Sequence, residues 1–460
     1  MMKKILILFF SLGTLLLASC SKDDINNDGS NNNGDGDGFA PSNIKGTITE
    51  SITLKADSTY TLDGVVYIAN GATITIQPGA TIKAKKGKTA LVITRGAKID
   101  AQGTAAKPIV FTSEVPNPDP VKGEIWGGIV ILGKATTNAS FNGQAGVGEI
   151  EGGVNDPATG YGLYGGNDDN DNSGKLKYVR IEHAGYPFLP EKELNSLTLG
   201  AVGSQTEIDY VQVSYAYDDA FEMFGGTVNL KHIIAYRTND DDFDCDNGYR
   251  GKIQFAISVR DKDIADVSGG NGFEQDNDGT GSSTAPLTAP VFSNVTLIGP
   301  KADAATTINA NFKRAAHIRR NARTSIYNSV LMAFPTGILI DGATTAANVT
   351  SGDLDLRNVV IAGCASPLET ASAAGFDFIT EFNKAERGNQ VLTNNTDVML
   401  ANAFDLVNFD PTPGATSPLA TGASFAAEKL QGGFFTTTTY KGAVGAGDTW
   451  WKNWTRFFNK

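Results

Sequence analysis

The chain has 460 residues, with 38 Lys and Arg against 50 Asp and Glu, a formal net charge of −12. That acidity argues against nucleic acid and anionic lipid head groups as partners, because both are bound through basic patches. Three cysteines exclude a disulfide-dense scaffold and a cysteine zinc cluster.

At the N-terminus Lys3 and Lys4 precede an apolar run from Ile5 to Leu17, which ends in "LLASC" at Cys20. A bilayer span needs about 20 apolar residues, so the run reads as a secretory signal over residues 1–19. The small residue before Cys20 resembles the bacterial lipoprotein signal, which implies cleavage before Cys20 and its lipidation. "SKDD" (Ser21 to Asp24) resembles the surface-export signal of Bacteroidetes lipoproteins, which implies display on the cell surface. Loss of residues 1–19, with two lysines and no acid, takes the formal charge from −12 to −14. The Asn-, Asp-, Gly- and Ser-rich stretch that follows cannot bury enough apolar surface to offset its ordering entropy. Residues 20–38 are therefore read as a flexible tether, and 39–460 as a single domain. No other segment is apolar enough to span a bilayer.

From Ser51 onward, apolar and polar residues alternate, with glycine at intervals. Seven segments align: "KYVRIE" from Lys177, "DYVQVS" from Asp209, "KHIIAY" from Lys231, "QFAISV" from Gln254, "SNVTLI" from Ser293, "YNSVLM" from Tyr327 and "RNVVIA" from Arg357. Their starts are spaced by 32, 22, 23, 39, 34 and 30 residues. A basic period near 22 with longer insertions is the pattern of stacked coils that bury their apolar faces only against neighbours. An antiparallel sandwich would show turn signals every 8 to 12 residues or so instead. The expected fold is all-β, a right-handed parallel β-helix (solenoid) with inserted loops and capped ends. Gly38 to Tyr60 is expected to cover one end, and the aromatic run "TWWKNWTRFF", within a closing segment of about 440–460, the other. An aromatic platform for sugar rings or a receptor surface is the functional alternative for that run.

Asn294, Asn328 and Asn358 share one column and are expected to form an asparagine ladder at a bend, about 4.8 Å apart. Phe221, Phe243 and Phe273 form a second column, expected inside. At about four coils apart, Cys245 and Cys364 are too distant to bridge, and are expected as small buried hydrophobes.

"GATITIQPGATIKA", "GTAAKPIVFTS", "WGGIVILG", "DDAFEMFGGTVNLKH", "DDDFDCDNGYRGKIQ" and "YKGAVGAGDTWWKNWT" resemble a family of right-handed parallel β-helix proteins. Its members are pectate-lyase-like in fold and common among exported proteins of Bacteroidetes. The resemblance implies the outer membrane as location and work beside a TonB-dependent receptor or on surface polysaccharide. It also keeps open a polysaccharide lyase or hydrolase, and an adhesin.

The chemical question lies in "DDAFEMFGG" and "DDDFDCDNG". If Phe221 and Phe243 point inward, alternation turns Glu222 and Asp244 outward, with Glu274 a further rung, as a solvated ladder. Asp218, Asp219, Asp240, Asp241 and Asp242 crowd the same edge. Calcium, a hard cation taking six to eight oxygens, is a candidate cofactor, with Asp240, Asp242, Asp244, Asp246 and Glu222 as ligands. An EF-hand is excluded, since Asn247 and Ile253 stand where its turn glycine and bidentate glutamate belong. "NDDNDNSG" (Asn167 to Gly174) is a second acidic candidate. Part of "TNDDDFD" resembles the aspartate elements of polygalacturonases, but their Gly-His-Gly and Arg-Ile-Lys elements have no counterpart. Arg237, Arg250 and Arg260 lie near the acids and could neutralise them or serve as a base. His183 and His232 are expected to be structural, and "AAHIRRNAR" (Ala315 to Arg323) a solvated basic face.

Overall fold

The computed structural model describes residues 40–119, 122–189 and 192–458. The expected signal, Cys20 and the tether (residues 20–38) lie outside them. Almost every long-range strand pairing is parallel and in register. The strands Gly174–Glu182, Glu207–Ser214, Asn229–Tyr236, Lys252–Val259 and Val291–Ile298 pair each with the next. The last continues through Ser325–Tyr327 and Val330–Met332 to Leu356–Arg357 and Val360–Ala362. Lys177, Asp209, Lys231, Gln254, Ser293, Tyr327 and Arg357 are mutual partners in that ladder. The seven aligned segments are thus seven successive turns of a right-handed parallel β-helix.

A second ladder runs through Leu197–Val202, Phe221–Gly226, Phe243–Asp246, Phe273–Gln275, Arg314–Ile318 and Thr336–Asp341. Its inward positions fill the core. Phe221, Phe243 and Phe273 are fully buried, with ring centroids 5.6 and 5.7 Å apart along the stack. Cys245, on the Phe243 strand, is buried in the same core. Cys364 is partly buried, and both thiols are free.

Each long strand bends at the second aligned position, where every residue has positive φ: Tyr178 51°, Tyr210 56°, His232 50°, Phe255 60°, Asn294 56°, Asn328 50° and Asn358 55°. Asparagine tolerates this conformation, whereas other side chains lose about 1–2 kcal/mol each. For the first four residues the compensation is stacking. Tyr178, Tyr210, His232 and Phe255 lie ring on ring at 4.4, 4.4 and 5.0 Å, each contact worth about 0.5–1.5 kcal/mol. In the asparagine ladder only the Asn358 Nδ2 to Asn328 Oδ1 step is direct, at 3.3 Å. Asn294 instead donates to Thr438 and to the carbonyls of Tyr440 and Gly442.

Those partners belong to the C-terminal segment, which runs along the flank of the solenoid rather than over its last turn. Two buried glutamines clamp it, each with both amide atoms. Gln212 accepts from Arg456 N and donates to Arg456 O, at 2.8 and 3.0 Å. Gln254 does the same with Thr436, at 2.8 and 2.7 Å. Trp454 meets Tyr178 and Tyr210 edge-on and Trp450 packs on His232. With Trp451 and Trp454 at 5% and 1% exposure, the aromatic run is packing surface and offers no open platform. At the other end, Asn43–Ile48 and Ile52–Leu54 pair in parallel with Thr59–Ile68 and Thr73–Ile76, forming the first turn themselves. No helix of the described residues is long and apolar enough to cross a membrane.

Truncating the middle of the phenylalanine stack, Phe243→Ala, is expected to lower unfolding stability by about 3–5 kcal/mol. Chemical denaturation followed by near-ultraviolet circular dichroism checks this.

Candidate functional site

The second ladder carries the acids. Thr198, Glu222, Asp244, Glu274 and His317 are register partners in one column, on the side of the sheet opposite the phenylalanines. Two residues ahead of the phenylalanine column stand Asn195, Asp219, Asp241 and Asn271, again equivalent from turn to turn. Each of the first three accepts, through Oδ1, the backbone N–H of the next: Asp219 to Asn195 at 3.2 Å, Asp241 to Asp219 at 2.8 Å, and Asn271 to Asp241. The short polar side chains therefore satisfy backbone donors that the bend leaves without a ladder partner.

The column is not the solvated ladder expected from alternation. Glu222, Asp219 and Asp241 are 7%, 6% and 4% exposed, and Asp244 is partly buried with Oδ1 fully covered and unbonded. The side chains do leave the solenoid interior, but an insertion folds back over them. Its hairpin Gly148–Glu149 and Leu163–Tyr164 brings Tyr164 directly onto the sheet, where a Cβ at Gly200 would come within 2.8 Å of the ring. Asn195 Nδ2 donates to Glu151 Oε1 of that insertion at 2.9 Å and also to Glu222.

Enclosure sets the electrostatics. Among the described residues, no Lys, Arg or His forms an ion pair with Asp218, Asp219, Glu222, Asp240, Asp241 or Asp244. Burial, reinforced by Glu151, Asp244 and Asp219, pushes the Glu222 carboxyl well above the usual range. Burial and then Glu274, Asp246 and Asp241 do the same to Asp244. Asp219 and Asp241 are raised likewise, by burial and then each other's neighbourhood of acids, and burial brings Asp240 to about 6. Glu274 is the exception. Burial raises it, but the His317 hydrogen bond and the Arg319 charge outweigh that and hold it below the usual range. Three sets of ligand atoms lie within 4.8 Å of one another: Asp218, Asp219 and Asp240; Asp219, Glu222 and Asp244; and Asp241, Asp244 and Glu274.

Residues 46–403 match the family model described as a pectate-lyase-like β-helix domain. The chain belongs to that family. No curated protein and no solved structure matches it.

In this pectate-lyase-like β-helix, three of the five expected ligands, Asp240, Glu222 and Asp244, fall within the acidic sets. The other two do not. Asp242 turns away to pair with Arg260 Nη1 at 2.9 Å, both side chains fully buried, and accepts from Ser258. Asp246 accepts from the adjacent Asn247 N–H at 2.5 Å, and burial brings its carboxyl to about 7. Alternation along the strand could not place Asp242, which precedes the strand and sits in the bend. Asn195 and Asn271 escaped the sequence reading altogether. Their signal was an Asx residue two places before Leu197, Phe221, Phe243 and Phe273, obscured by unequal insertions.

The second acidic stretch builds turns. Asp169 accepts from Thr136 and pairs with Arg250 at 2.9 Å, and Asp171 accepts from Lys134 N. The basic run is no free solvated face, for Arg319 pairs with Glu274 and Asp276, Arg320 with Asp276, and Arg323 with Asp353. Burial and then Arg456 depress His183 to about 4, so its ring, stacked on Tyr215 at 4.9 Å, is neutral near pH 7. His232 is held in the bend stack with Nδ1 2.7 Å from Asp209.

Breaking the Asp242–Arg260 pair leaves a buried charge without a partner. Arg260→Met is expected to cost about 3–5 kcal/mol, and Asp242→Asn in the same chain to recover part of that loss. A double-mutant cycle by urea unfolding measures both.

Proposed function

We propose that this chain is a lipid-anchored β-helix of the outer membrane, displayed at the cell surface through Cys20, that acts as a binding or accessory module. Its partner would be a surface polysaccharide, handled beside an outer-membrane receptor. One observation carries the preference for binding over cleavage: the acids are enclosed, and among the described residues no Lys, Arg or His pairs with Asp219, Glu222, Asp241 or Asp244. A glycoside hydrolase needs an acid and a second carboxylate flanking an accessible bond, and a lyase needs a base within reach of the proton it removes. Arg319 is held on Glu274 and Asp276, and the three arginines that the sequence places near the acids are each held by a carboxylate as well. Arg237 faces Asp261 at 3.4 Å, Arg250 faces Asp169 and Arg260 faces Asp242.

A polar opening supports the same reading. A cavity of about 330 Å³ is lined by Thr280, Arg319, Arg320, Asn321, Asp341 and Thr345, a mixture of donors and acceptors suited to sugar hydroxyls. The lyase or hydrolase reading would instead need turnover.

The test is a screen of the purified chain against neutral and acidic polysaccharides, scored for retention, for unsaturated products and for new reducing ends. Retention without either product is expected. Product formation that disappears in Glu222→Ala would replace the binding reading by the enzymatic one, and absence of retention by every polysaccharide would leave the adhesin reading in its place.

A further inference from the structure

We propose that the enclosed column is a paired site for hard divalent cations of the calcium class, two ions sharing Asp244. The first lies among Asp219, Glu222 and Asp244 with the Thr198 hydroxyl, and the second among Asp241, Asp244 and Glu274 with the Asn271 side-chain carbonyl. The pairing goes beyond the binding reading above and does not depend on it.

Distance is the first argument. Calcium–oxygen bonds of about 2.3–2.6 Å put opposite ligands of one ion about 4.6–5.2 Å apart, and the carboxylate oxygens of each set lie within 4.8 Å of one another. The ladder produces this spacing by itself, because adjacent turns are about 4.8 Å apart. An ion between two turns meets two acids from one and a third from the other.

Orphaned polar atoms are the second argument, independent of the first. Thr198 is fully buried and its Oγ1 has no hydrogen-bond partner. It is the register partner of Glu222, so its side chain leaves the sheet on the same side, one turn away. Asn271 is 2% exposed. Its Nδ2 donates to Glu274 Oε1 at 3.4 Å, which places the amide head at the second set, yet its Oδ1 has no partner. Asp244 Oδ1, between the two sets, is likewise covered and unbonded. A buried acceptor without a donor costs about 1–3 kcal/mol. Thr198 Oγ1, Asp244 Oδ1 and Asn271 Oδ1 thus add three buried oxygens able to accept from a positive partner along one acidic column.

Ligand chemistry selects the class of ion. All candidate atoms are carboxylate, hydroxyl or amide oxygens, and the free thiols lie elsewhere. Such a set suits calcium or magnesium and disfavours zinc and copper. Its irregular geometry, drawn from two columns and four turns, suits the flexible shell of calcium better than the near-ideal octahedron of magnesium. The third set, Asp218, Asp219 and Asp240, is left out of the site. With Glu222 also tied through Asn195 to Glu151, the first ion would fasten the insertion onto the ladder.

The experiment uses the full mature-length chain, stripped with chelator and titrated calorimetrically with calcium chloride, with magnesium chloride as comparison. Melting is recorded alongside. Two calcium ions per chain are expected, with a melting temperature that climbs with calcium concentration as linkage requires. Asp244→Asn should remove both ions. Thr198→Val should weaken the first alone and Asn271→Leu the second alone, each by about 10- to 100-fold. If Asp244→Asn does not fold, the two single-site variants carry the test unaided. No calcium heat, a single ion, or two ions undiminished in Asp244→Asn would each overturn the paired site.

Discussion

Strict parallel register is the constraint on which everything else in this molecule depends. When one turn stacks on the next without slipping, each side chain lies about 4.8 Å from its counterpart, and whatever chemistry the repeat carries is stacked on itself. For phenylalanine this is favourable on both counts, burial and ring contact. For a carboxylate it is not. Two charges about 5 Å apart repel by roughly 3 kcal/mol at an effective dielectric of 20, and a column multiplies the penalty.

The solenoid meets that penalty in different ways along its length. Near the Arg314–Ile318 strand it supplies arginine, with Arg319 bridging Glu274 and Asp276. In the bend it turns Asp242 inward onto Arg260. Asp219 and Asp241 each satisfy a backbone N–H of the next turn with one oxygen. What remains, Glu222 and Asp244, is covered by the insertion and forms no ion pair with a Lys, Arg or His among the described residues. A region where every local device has been applied except charge neutralisation is where an external positive partner is chemically called for.

The repeat was legible in the sequence because register is a local property: seven short segments with an aromatic or asparagine at the second place suffice to align the turns. The inward phenylalanines followed from alternation. The enclosure of Glu222 did not, because Tyr164 and Glu151 reach it from an insertion that shares no period with the repeat. Nor did the path of the C-terminal segment, which Gln212 and Gln254 hold by contacts spanning 244 and 182 residues. The positive φ at Tyr178, Tyr210, His232 and Phe255 was hidden for a related reason. Single-residue preference opposes it, and only the neighbouring turns supply the ring stack that makes it tolerable.

The family match and the fold agree, yet a shared fold carries no activity with it; function has to be argued from the acidic column and its cover. The most direct measurement is anomalous diffraction from crystals grown with a lanthanide such as terbium in place of calcium. Two strong peaks along the column are expected, one between the turns of Glu222 and Asp244 and one between those of Asp244 and Glu274. Crystals soaked to saturation that show no peak at either position would contradict the paired site.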